Sequence, residues 1–81
     1  MITRKYHNYD YVERVWRVTY SINGFEYALY IKGTEPEMQD YMGSEMGFVG
    51  GYVAMTDKEV EAIRQLKIKI YIAPQLRNYD D

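Results

Sequence analysis

Asn23-Gly24 stands between two runs rich in β-branched and aromatic residues, one ending at Ile22 and one starting at Phe25. Asn-Gly suits a type I′ turn, in which both central residues need φ > 0. A two-residue turn leaves no freedom of register, so the pairing follows directly. Ile22 faces Phe25, Tyr20 faces Tyr27, Val18 faces Leu29 and Trp16 faces Ile31, and all eight are apolar or aromatic. The other face pairs Ser21 with Glu26, Thr19 with Ala28, Arg17 with Tyr30 and Val15 with Lys32. A slip of one residue would mix the two sets. The sequence therefore predicts a half-buried β-hairpin whose Trp16 face needs a cover.

The remaining segments supply that cover. Thr34 can cap a helix, Glu37 sits three residues on as a capping box requires, and Pro36 falls in the first turn, where its missing N–H costs nothing. Met38, Tyr41, Met42 and Met46 then recur at helical spacing, with Glu37, Asp40 and Glu45 expected to face outward. Gly43 weakens this helix and Gly47 is its expected end. Residues 47–55 (GFVGGYVAM) suit either an apolar loop or a short strand over Tyr52 to Met55. Thr56-Asp57-Lys58-Glu59 repeats the capping-box pattern ahead of a second helix with Val60, Ile63 and Leu66 on one side. From Lys67 the period changes to strict alternation. Ile68, Ile70 and Ile72 should point one way and Lys67, Lys69 and Tyr71 the other, in a strand ended by Pro74. The Tyr-rich lead-in, residues 1–11, reads as an irregular arm with some strand character, and residues 75–81 as a tail. The expected architecture is a single α+β domain over residues 1–81. It is a two-layer antiparallel sheet of three to four strands, ordered β-β-α-(β)-α-β, with both helices on one face.

Composition narrows the function. The 81 residues contain no cysteine, so disulfides, thiolate catalysis and cysteine metal sites are out of reach, which fits a reducing compartment. No apolar run approaches the ~18 residues of a membrane span, and the N-terminus lacks a signal-peptide core. A cytoplasmic location is expected (the host cytoplasm for a phage-encoded chain), with no membrane partner. His7 is the single histidine, and no partner is suggested that would orient it as a base. Gly47, Gly50 and Gly51 lack the Lys-Ser/Thr ending of a phosphate loop, and the acidic residues lack the spacing of a calcium loop. No catalytic residue, metal ligand or cofactor is assigned.

Charge is segregated despite a net value of −2. From Thr34 to Glu61, seven acidic residues face only Lys58, while Ala62 to Arg77 carries four bases and no acid. Ten tyrosines exceed what a small core can bury, and exposed Tyr and Met are typical of protein interfaces. These features point to a non-enzymatic interaction module. Its expected contacts are an acidic patch of Glu35, Glu37, Asp40, Glu45, Asp57 and Glu61 and an aromatic group of Tyr41, Phe48 and Tyr52. The expected partner is a protein with a basic surface, and self-association into a homo-oligomer would aid a chain this short. The alternative is single-stranded nucleic acid on an open sheet face of Arg17, Tyr30, Lys32, Lys67, Lys69 and Tyr71, with cations for phosphate and rings for stacking. The acidic remainder makes nucleic acid the less favoured partner. No motif ties the chain to a family. In size, missing catalytic groups, acidic helices and surplus tyrosine, it resembles in kind the small inhibitors that phages and mobile elements make against host defence or nucleic-acid-handling complexes, anti-CRISPR proteins among them.

Overall fold

The computed structural model describes residues 2–44 and 48–73. In chain order the elements are β1 (Thr3–Tyr6), β2 (Tyr9–Val12), β3 (Arg14–Ile22), β4 (Phe25–Gly33), α1 (Glu35–Ser44), β5 (Phe48–Ala54), α2 (Asp57–Gln65) and β6 (Ile70–Ile72). The hairpin β3–β4 forms as expected, and all eight predicted pairs occur, from Ile22↔Phe25 down to Val15↔Lys32. Asn23 and Gly24 take φ of 52° and 84°, the left-handed conformations this turn demands.

β3 and β4 form the centre of a four-stranded sheet in the order β5-β3-β4-β6. β5 runs antiparallel to β3, with Trp16 opposite Ala54 and Val18 opposite Tyr52, so the ambiguous glycine-rich stretch is a strand. β6 runs parallel to β4. β4, β5 and β6 therefore share one direction. The chain makes two crossovers between parallel strands: β4–α1–β5 travels one way across the sheet and β5–α2–β6 travels back. Right-handed crossovers in opposite directions put their helices on opposite faces.

The side chains agree with that argument. Met38, Tyr41 and Met42 of α1 pack with Trp16, Val18, Leu29, Ile31, Tyr52 and Ala73 into the core. α2 supplies nothing to this cluster. Its Asp57, Val60 and Arg64 instead line a cleft with Val15 and Lys32, a register pair of the opposite face. The α+β class and the mostly antiparallel sheet are as expected, but the helices divide between the two faces. The sequence pattern shows that each helix has an apolar side. It does not show that the last strand returns to the far edge, which is what sends α2 underneath.

Three further local readings are corrected. The lead-in is not irregular: β1 and β2 form a separate two-stranded antiparallel sheet, with Lys5 opposite Asp10 and Tyr6 opposite Tyr9. Its turn is His7-Asn8, with φ of 50° and 69°. Asn accepts that conformation readily, whereas His does so less often, which hides the turn from a sequence reading. The alternation of Lys67 to Ile72 is not all strand. Lys67 stops α2 at φ 58°, its amide donating to the Arg64 carbonyl (3.0 Å) while that of Ile68 reaches back to Ile63 (3.1 Å). This is a Schellman stop, with lysine where glycine is usual. Finally, Tyr71 pairs with Ile31 and so shares the Trp16 face, while Ile70 and Ile72 share the other face with Tyr30 and Lys32. The isoleucines are thus not the core-facing set, and Ile72 is 79% exposed. Met46, Gly47, Pro74 and the 75–81 tail lie outside the described residues.

Lysine in the left-handed region costs about 1 kcal/mol relative to glycine. Lys67→Gly is expected to raise unfolding stability by about 0.5–1 kcal/mol in denaturant titration.

Candidate functional site

Two places concentrate the chemistry: a buried ionic knot at the base of the hairpin, and a surface left open at its far end. The knot forms around Glu37. The hairpin ends at Gly33, and α1 starts at Glu35 with only Thr34 between them. Glu37 is 1% exposed, and its Oε1 accepts from the Thr34 amide (2.7 Å), the Thr34 hydroxyl (3.0 Å) and the Arg4 guanidinium of β1. Glu37 Oε2 is buried without a hydrogen-bond partner among the described residues. The second nitrogen of the Arg4 fork pairs with Glu13, which Lys32 approaches at 3.4 Å from the other side. The Glu13 amide also donates to the Ile2 carbonyl at 2.9 Å. Gly33 makes room for this junction: a Cβ there would lie 2.9 Å from Ala73 Cβ and 3.2 Å from Glu37 Oε1. Trp16 Nε1 donates to the Gly33 carbonyl at 2.9 Å, so the core's largest ring is tied to the same point.

Charge in the knot shifts one titration clearly. Burial pushes the Glu13 carboxyl up, but the Arg4 hydrogen bond and charge, with Lys32 behind them, outweigh it and hold the pKa below 4.5. Glu59 is likewise held below the ordinary carboxylate range, first by the Thr56 amide of the α2 capping box.

The far end of the hairpin is different. α1 covers Trp16, Val18 and Ile31 and stops there. Ile22, Phe25 and Tyr27 lie on the same face and are 50%, 68% and 46% exposed. Tyr20 and Tyr27 stack with ring centroids 5.4 Å apart. The exposed apolar area of these residues is on the order of 300 Å², comparable with the largest apolar patch of an ordinary monomer, which is often functional. Beside it, Leu29, Ile31, Tyr41, Tyr71, Ile72 and Ala73 line a hollow of ≈ 350 Å³. Lys69 Nζ sits 4.5 Å from the Tyr71 ring centroid at its rim.

The residues singled out from sequence distribute as follows. Glu37 does not face outward; it is consumed by the knot, because a capping glutamate beside a buried strand end can only be charged there with a cation at hand. Glu35 and Asp40 are exposed on α1, and Asp57 and Glu61 are exposed on α2. The helices stand on opposite faces, so these four do not form one patch. Glu45 lies outside the described residues. Tyr41 and Tyr52 are half-buried at the core's edge, Tyr52 edge-on to Trp16 with centroids 5.3 Å apart, and Phe48 sits opposite Tyr20 in β5. Of the basic and aromatic set, Arg17, Tyr30 and Lys32 share one face. Tyr71, with Lys69 over its ring, belongs to the other, and Lys67 is in the stop of α2. Arg17 acts electrostatically on Glu59, so α2 flanks what was expected to be the open face. His7 lies in the β1–β2 turn, edge-on to Tyr6 at 4.2 Å. Among the described residues no group of three or more His, Cys, Asp or Glu is arranged to hold a metal ion, and no helix is long and apolar enough to cross a membrane. The missed features are Arg4, whose role needs the fold of a segment read as irregular, and the exposed hairpin end. The latter was legible in part: the apolar face of the hairpin is longer than a ten-residue helix can cover.

The described residues thus form a small α+β domain whose hairpin end leaves Ile22, Phe25 and Tyr27 exposed. The chain matches no known protein-family profile, no curated protein and no solved structure.

Removing the Arg4 cation leaves the Glu37 carboxylate buried and unneutralised. Arg4→Met is expected to cost about 3 kcal/mol in chemical denaturation, and adding Glu37→Gln should recover part of that loss. Because the folded pKa of Glu13 is depressed, its contribution is present in full well above 4.5 and is lost as pH falls through the folded value. Stability should therefore fall below about pH 4.5, and Glu13→Gln should flatten that slope in the same titration.

Proposed function

We propose that this protein acts by binding another protein and not by transforming a substrate. The observation that carries the reading is the hairpin's exposed end. A chain with few buried side chains leaves Ile22, Phe25 and Tyr27 in water on a rigid two-stranded scaffold. Aromatic residues of low side-chain entropy, presented beside an apolar hollow, are the usual anchors of a protein interface. The carboxylates left exposed, Glu35 and Asp40 on one side and Asp57 and Glu61 on the other, favour a partner whose surface is basic. A narrower reading follows from size and composition: inhibition of a host nucleic-acid-handling or defence complex, as small phage-encoded proteins do. Nucleic acid itself is less well served, since the expected basic and aromatic residues are split between faces.

The test is quantitative affinity purification from the native cell with wild type, Phe25→Asp, and the double variant Glu35→Lys/Asp40→Lys. A partner captured by wild type should be lost at least tenfold with Phe25→Asp. The charge reversal should weaken a basic partner by a smaller factor and make the residual binding less salt-sensitive. Equal capture by all three would refute both the surface and the charge assignment.

A further inference from the structure

β4 has an edge that no described strand occupies along its first half. β6 pairs only with Tyr30, Ile31 and Lys32. The direction of the free groups follows from the turn. A two-residue hairpin closes on a hydrogen-bonded pair, here Ile22 and Phe25, so Phe25, Tyr27 and Leu29 aim their N–H and C=O groups at β3. The alternate residues aim outward, and one hydrogen bond on the same strand confirms the phase: the Lys32 carbonyl accepts from the Ala73 amide at 2.9 Å on the β6 side. Glu26 and Ala28 therefore present two donors and two acceptors to the open edge.

We propose that this edge pairs antiparallel with the same edge of a second copy, with Tyr27 on the two-fold axis. The inference rests on the reading of the hairpin end as a contact surface and names one occupant for it. Glu26 and Ala28 of one copy then exchange both hydrogen bonds with Ala28 and Glu26 of the other, four bonds in all. Tyr27 faces its own copy in a close pair whose backbones make no bond. Phe25 falls opposite Leu29 of the neighbouring copy, at the mouth of the hollow lined by Leu29, Ile31, Tyr41 and Tyr71. A two-fold contact needs one surface that offers both the projecting side chain and its receptacle, and this strand has both.

The register is bracketed on both sides. Moving the axis to Glu26 sets two carboxylates directly opposite each other, which is repulsive. Moving it to Ala28 sets Glu26 against Tyr30, the level already taken by Ile70 of β6. Pairing about Tyr27 places Glu26 against Ala28 and ends at Phe25 against Leu29, one level short of Ile70, where the Asn23-Gly24 turn bends each chain back toward its own β3. An exposed edge of this kind, FEYAL with a single charge, invites strand addition unless something occupies it. The contact is short and lies at the low end of specific interfaces, so the dimer is expected to be weak.

Purified full-length protein should show concentration-dependent dimerisation by sedimentation equilibrium between about 10 µM and 1 mM, the range in which a small interface saturates. Amide exchange followed by NMR across the same range should slow at Glu26 and Ala28, at least fivefold, and leave Tyr27 unchanged. Ala28→Pro removes an outward N–H without touching the β3–β4 ladder. Phe25→Asp, at a position 68% exposed, keeps the hairpin if Ala28→Pro does not fold. Each should shift the dimer dissociation constant at least tenfold. A wild type that stays monomeric at 1 mM, protection of other amides, or a dimer indifferent to both substitutions would overturn the proposal. If the protein stays monomeric yet loses a cellular partner with Phe25→Asp, the contact surface stands and only the second copy as its occupant fails.

Discussion

A carboxylate buried at the base of the hairpin holds the parts of this fold in one arrangement. Glu37 belongs to α1 but meets β1 through Arg4 and the end of the strand pair through Thr34, next to the carbonyl that receives Trp16. Burying a charge is costly unless a cation and hydrogen bonds meet it, so the three segments must arrive together. That requirement explains how a two-stranded sheet separate from the main one is held in place. It also explains why Gly33 carries no side chain where Ala73 and Glu37 converge.

The same junction divides the molecule into a finished end and an unfinished one. At the base, Met38, Tyr41 and Met42 of α1, with Ala73 just past β6, close over Trp16, Val18 and Ile31. At the far end the hairpin outruns its cover, and the face that continues the core reaches water at Tyr27, Phe25 and Ile22. Two crossovers of one hand, running in opposite directions, use one helix per face, so no second helix is left to extend the cover. The exposed surface is thus a consequence of topology and not an accident of one side chain.

The sequence carried the hairpin completely, turn and register together, because Asn-Gly fixes the phase and alternation checks it at eight pairs. Both helix starts were legible from their capping glutamates. What alternation could not show was which strand the last segment joins. Tyr71 and the isoleucines around it alternate as cleanly in a parallel edge strand as in the pairing expected, yet they exchange faces. Glu37 was found at the right position and given the wrong environment. A capping pattern reports the hydrogen bond to Thr34, whereas burial depends on Arg4, thirty-three residues away and in a segment whose His-Asn turn carries a weak signal. The acidic patch dissolved for that reason and because the helices divide. The proposed contact surface rests on aromatic residues whose exposure was an excess in the composition before it was a place in the fold.

The most direct measurement is native-state hydrogen exchange by NMR on the wild-type chain, across sub-denaturing concentrations of denaturant. If the buried carboxylate unites these segments, the amides of Thr34 and Glu13 will open with the same free energy as the hairpin amides of Trp16 and Val18, in one cooperative step. Exchange at Glu13 and through β1–β2 at a free energy several kcal/mol below that of the hairpin would contradict the account, showing an N-terminal sheet that comes and goes without consequence for the core.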